Sequence, residues 1–222
     1  MKDIIDWSQV NTLLLDMDGT LLDLRFDNHF WREYLPKQYS EEKSVSLDES
    51  KQHLQSLFIT HQGTLNWYCL DFWSEQLAMD LVEHKNKLRE GIQLRPNVEW
   101  FLQEARNHVT NIALVTNAHQ DTLQIKLDKT GISSFFDKII CSHDIGLPKE
   151  DPSFWSKMQK ELPFDSRHSV FIDDSLPVLD SAKSFGIRYV IGVLMPDSQG
   201  PKVLTERYPL VDSFADLIPI TD

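Results

Sequence analysis

A chain of 222 residues, 41% hydrophobic and 25% charged, can build one compact domain or a core domain carrying a smaller inserted one. Its formal net charge of -12 repels nucleic-acid polymers and anionic membrane surfaces, so neither is expected as a partner. A small anionic substrate stays compatible, provided a metal ion and a few cationic groups reverse the sign locally.

The first ten residues, with Lys2, Asp3 and Asp6, lack the apolar stretch of a signal peptide. No later window approaches the roughly 18 to 20 uninterrupted apolar residues of a membrane span. Cys69 and Cys141 stand far apart and form no metal-ligand spacing. The expectation is a cytoplasmic protein with reduced thiols.

In chain order, the apolar run over 12–15 stops at Asp16-Met17-Asp18-Gly19-Thr20 and reads as a buried strand ending in a functional loop. Asp16 and Asp18, two residues apart, can project toward the same side. Carboxylates so close repel each other unless a divalent cation lies between them, and such oxygen ligands suit Mg²⁺. Gly19 permits a sharp turn, and the Thr20 hydroxyl can orient a carboxylate. An Asp-Gly turn after a core strand is the competing reading of the pentapeptide.

Residues 24–95 show no strand alternation, and helices are predicted over 53–58, 70–77 and 81–88. The segment is too long for a loop and reads as an inserted helical subdomain, leaving 1–23 and 96–222 as the core. Trp31, Trp67 and Trp73 either pack this subdomain or offer a stacking surface. His29, His53, His61 and His84 form no ligand pattern and read as exposed polar residues.

From 97 onward helix and strand alternate, with helices over 97–107, 120–129, 152–161 and 176–185 and strands over 111–115, 138–141, 169–172 and 188–193. Gly131 and Gly186 follow two of these helices, where a C-terminal cap tolerates positive φ. The pattern predicts an α/β, Rossmann-like, mostly parallel sheet with helices on both faces and the ligand beyond the carboxyl ends of the strands. The tail over 196–222, with an amphipathic stretch near 214–217, is predicted as a surface closure.

Three more strand ends carry polar groups. Thr116 and Asn117 follow Ala113-Leu114-Val115, a hydroxyl and an amide able to hold a phosphate oxygen, although they could equally cap the next helix. Lys149 lies in a turn bracketed by Pro148 and Pro152, a stiffened point charge suited to a phosphoryl group. Asp173 and Asp174 end Phe171-Ile172; neighbouring strand residues point apart, so one, with Asp174 favoured, would bind a cation directly and the other indirectly. A helix N-cap with acidic first-turn residues is compatible with the same pair.

The order Asp16-x-Asp18-Gly-Thr20, Thr116, Lys149, Asp173-Asp174 resembles the haloacid dehalogenase-like hydrolase superfamily, and the insertion resembles its helical C1-type cap. Leu24-Arg25-Phe26-Asp27-Asn28-His29-Phe30-Trp31, Trp67-Tyr68-Cys69-x-Asp71-Phe72-Trp73 and Pro148-Lys149-Glu150-Asp151 are similar to the bacterial GMP/IMP nucleotidases. The resemblance implies a Mg²⁺-dependent phosphatase with Asp16 as nucleophile, Asp18 as acid and base, and Thr116 and Lys149 completing the catalytic set. Thr116, Asn117 and Lys149 would bind phosphate, and Asp16, Asp18, Asp173 and Asp174 the metal. A purine nucleoside monophosphate is the expected partner, with Arg25, Asn28, Trp67 and Asp71 as substrate contacts. Phosphoglycolate or sugar-phosphate hydrolysis, phosphomutase activity and a non-catalytic binding module are the rival expectations.

Overall fold

The structure, a computed structural model, describes residues 4–218; the tail expectation past 218 and the first three residues of the N-terminal reading lie outside that span. Strand β1 (Thr12–Leu15) opens the core, and the chain then leaves it for a run of helices. These are α1 (Arg25–His29), a π-helical turn over Phe30–Tyr34, α2 (Leu35–Lys43), α3 (Leu47–His61), α4 (Leu65–Tyr68), α5 (Leu70–Leu77) and α6 (Leu81–Lys87). The core resumes with α7 (Val98–Ala105), β2 (Asn111–Thr116), α8 (Gln120–Thr130), β3 (Lys138–Cys141) and α9 (Ser142–Ile145). It closes with α10 (Pro152–Glu161), β4 (Ser169–Asp173), α11 (Leu176–Phe185), β5 (Tyr189–Val193) and β6 (Leu210–Val211).

All strand pairings are parallel, in the order β3-β2-β1-β4-β5-β6. The order reverses between β1 and β4, which is where an open α/β sheet presents its ligand crevice. Successive side chains of a strand face opposite layers, and the core shows it. Leu13 and Leu15 pack with Phe101 and Leu102 of α7 and Leu123 of α8, while Leu14 packs with Phe154 and Trp155 of α10 and Leu179 of α11. Gly131 and Gly186 end α8 and α11 at φ of 70° and 101°, as the caps predicted.

The insertion has its own apolar cluster around Phe30, Leu35, Leu54, Leu70 and Trp73. Ser46 and Glu49 cap α3 reciprocally, and Phe58 meets both Trp67 and Trp73 edge-on. His84 departs from the expectation of exposure. It is buried between Tyr34 Oη at 3.0 Å and Glu42 Oε1 at 3.2 Å, because both its ring nitrogens find partners. The described part of the tail is also more than a surface closure: β6 extends the sheet, Phe214 packs on Phe101 at 4.9 Å, and Trp7 Nε1 donates to Leu217 O at 2.8 Å. None of the described helices is long and apolar enough to cross a membrane.

Candidate active site

Asp16 is fixed by the sheet itself, since its N–H donates to Ile172 O of β4 at 3.0 Å as the chain leaves β1. Three residues on, Gly19 turns at φ 80°, and a Cβ there would collide with Asp174 Oδ2. Only glycine lets the two loops approach so closely. Between the loops lies Lys149, 2% exposed, whose ammonium donates to Asp16 Oδ1, to Asp173 Oδ2 at 2.7 Å and to Val115 O at 3.0 Å. Burial pulls its pKa down, yet Asp16 and Asp173 more than offset this and hold the group charged. Burial pushes Asp16 up to about 6, against the pull of Lys149.

Asp16, Asp173 and Asp174 each offer an oxygen within 4.8 Å of the others. Asp173 has both oxygens engaged, Oδ2 by Lys149 and Oδ1 by the Ser175 N–H at 2.8 Å. Asp174 accepts no hydrogen bond among the described residues, and burial followed by the charges of Asp173 and Asp16 pushes its carboxyl well above the ordinary range. Three carboxylates gather near one ammonium, which bonds only Asp16 and Asp173. An all-oxygen set with that deficit fits a divalent cation.

Asp18 is not gathered into that cluster. Its Oδ1 accepts from Lys126 Nζ at 2.6 Å, and Lys126 also donates to Asp27 Oδ2 at 2.6 Å. Asp27 Oδ1 in turn accepts from Lys85 Nζ at 2.7 Å. Burial, with Lys126 opposing it, lifts Asp18 to about 6; Asp27 is held below the usual range because Lys126 and Lys85 outweigh its burial.

Three other sequence expectations change in detail. The Thr20 hydroxyl is buried with no partner among the described residues and orients no carboxylate there, since the turn is closed by Leu21 and Leu22 N–H groups on Met17 O and Asp16 is already held by Lys149. Thr116 Oγ1 accepts from the Ala118 N–H at 3.0 Å and still faces the cavity. The Asn117 side chain is spent on its neighbours: Oδ1 accepts from the Lys149 N–H at 2.9 Å and Nδ2 donates to Glu150 Oε2 at 2.9 Å. It shapes the lysine loop, so only its backbone is left for an anion.

These groups line one cavity of about 400 Å³ between the sheet and the insertion, within the size range of small-molecule sites. Asn28, Trp31, Arg32, Phe58, Trp67 and Tyr68 form its far wall. Asn28 donates to Asp197 Oδ2 at 2.7 Å. Arg25 and Asp71 are absent from the wall. Arg25 pairs with Glu33 at 2.8 Å, and Asp71 is largely exposed beside His119. Lys85, Lys126 and Arg32 also line the cavity, and no sequence motif singles them out. Lys126 shares the buried stripe of α8 with Thr122, Leu123 and Leu127, and a lysine at an apolar position was the available signal.

A sheet of this order with acidic groups and a buried lysine at its carboxyl edge agrees with a family model described as haloacid dehalogenase-like hydrolase, which matches residues 13–192. The chain belongs to that family. The GMP/IMP nucleotidase YrfG of Escherichia coli (strain K12) is 39% identical over 215 residues, 97% of each chain. The pyrophosphatase PpaX of Bacillus velezensis is 24% identical over 220 residues, 96% of this chain and 97% of its own. A HAD phosphatase from Thermococcus onnurineus shares the fold, with a TM-score of 0.75 over 90% of this chain and 93% of that one at 21% identity.

Proposed function

We propose that this protein is a magnesium-dependent phosphomonoester hydrolase that works through an aspartyl phosphate on Asp16 and acts on the purine nucleoside monophosphates GMP and IMP. The observation that carries the reading is the meeting of Asp16, Lys149, Asp173 and Asp174 at the switch point of the sheet, in the same cavity as Asp18.

Asp16 attacks phosphorus as the ester P–O bond breaks, and Asp18 gives its proton to the departing alkoxide. Water then attacks phosphorus, Asp18 takes the proton, and the acyl-phosphate P–O bond breaks to free phosphate and Asp16. A carboxyl lifted to about 6 suits that double duty near neutral pH. Bound Mg²⁺ supplies a Lewis acid for the phosphoryl oxygens. Asp16 and Asp174, whose oxygens are least committed, would hold it directly, and Asp173, with both oxygens engaged by Lys149 and the Ser175 N–H, would act on it only through water. Lys149 and the Thr116 hydroxyl face the same phosphoryl group.

Residues 24–95 act as a cap that carries specificity. Trp31 and Trp67 lie on the cavity wall, where stacking on a purine would contribute about 1 to 3 kcal/mol. Full-length similarity to the nucleotidase of E. coli supports the GMP and IMP preference. Both cysteines are free thiols, which suits the cytoplasm. The test is phosphate release, with and without Mg²⁺, from GMP, IMP, AMP, phosphoglycolate and sugar phosphates. GMP and IMP should lead; equal turnover of all five would remove the specificity, and undiminished turnover after exhaustive chelation would remove the metal.

A further inference from the structure

We propose that Lys126 is a positioning residue that aims Asp18 for proton transfer, and that Asp27 and Lys85 of the helical insertion hold Lys126 in place. The inference rests on the reading of Asp18 as the proton carrier of a phosphatase.

A lysine that is 1% exposed in a helix facing the sheet is costly to desolvate, and it persists only if its charge is answered. Here it is answered twice, by Asp18 Oδ1 and Asp27 Oδ2, each at 2.6 Å. Lys85, 2% exposed, closes the series with a 2.7 Å bond to Asp27 and with its ammonium 4.6 Å from the centroid of the Phe30 ring. The result is an alternating row, Asp18, Lys126, Asp27, Lys85, with two charges of each sign. It balances without an added ion.

The geometry distinguishes the two oxygens of Asp18. Oδ1 is tied to Lys126, whereas Oδ2 makes no hydrogen bond among the described residues, on a side chain that lines the cavity. Oδ2 is therefore the atom left to carry the proton, and the Lys126 bond removes the rotation that would turn it from the leaving oxygen. Lys126 itself touches no reacting atom. Because Asp27 and Lys85 belong to the insertion, the aim of Asp18 depends on the insertion being docked.

Leaving-group chemistry tests this. An alkoxide needs a proton as it departs, whereas p-nitrophenolate does not, so a fault in proton delivery separates the two classes in kcat/KM and a general structural fault lowers both. For Lys126→Met, kcat/KM on GMP and glycerol 3-phosphate should fall about 100-fold and on p-nitrophenyl phosphate about threefold or less. Asp18→Asn should show the same split. An equal fall on both classes in folded Lys126→Met, or no fall on the alkyl esters, overturns the proposal. If Asp18→Asn itself shows no split, the proton-carrier reading falls and takes the proposal with it. Should the single variant fail to fold, Lys126→Met with Asp27→Asn removes one charge of each sign and is held to the same criterion.

Discussion

Two buried charge clusters face one cavity, and they are built on opposite principles. Around Lys149, three carboxylates at the ends of β1 and β4 face a single ammonium that pairs with only two of them, and the imbalance calls for a cation from outside. Around Lys126, two carboxylates and two ammoniums alternate and satisfy one another. The first is an incomplete site awaiting ligands; the second is a complete support. A buried charge is thus a sign of chemistry where it is unanswered and of positioning where it is answered.

The contrast can be broken from either side. Asp16→Asn should lower phosphate release by about 10⁴-fold or more, the scale of losing a nucleophile, while the fold survives; near-normal turnover would end the covalent mechanism. Asp174→Asn should raise the Mg²⁺ concentration for half-maximal activity by about tenfold or more, and an unchanged titration would show that the deficit is not what holds the metal. On the balanced side, Asp27→Asn leaves two buried ammoniums with one carboxylate. It should cost about 3 kcal/mol in a urea melt, and no shift in midpoint would mean that the row is not a support. The smallest effect belongs to the exposed Arg25–Glu33 pair. Arg25→Ala should change stability by about 0.5 kcal/mol or less and leave KM for GMP unchanged, and a raised KM would restore Arg25 as a substrate contact.

The same division governs what could be read from the sequence. β1, β3, α5, α10 and α11 were legible to the residue because each is a bounded apolar run or a periodic stripe with a recognisable end. Asp16, Asp173 and Asp174 were legible because each sits at such an end, and Lys149, in the loop between α9 and α10, because Pro148 and Pro152 bracket it. The second cluster was not, since Lys126 meets an aspartate 108 positions earlier and nothing local marks the pairing. Its trace was a polar residue on an inward face, as with Lys85 beside Leu81 and His84. β6 was missed because two residues carry no periodicity, and Thr20 misled because a hydroxyl near a carboxylate does not fix which way the turn carries it.

Tyr68 has a consequence that reaches beyond the wall it helps to form. Its hydroxyl donates to Glu150 Oε1, the other oxygen of that carboxylate takes the Asn117 amide, and Asn117 in turn holds the backbone of Lys149. The α4 part of the wall and the loop that carries Lys149 are thus joined by one continuous chain of hydrogen bonds.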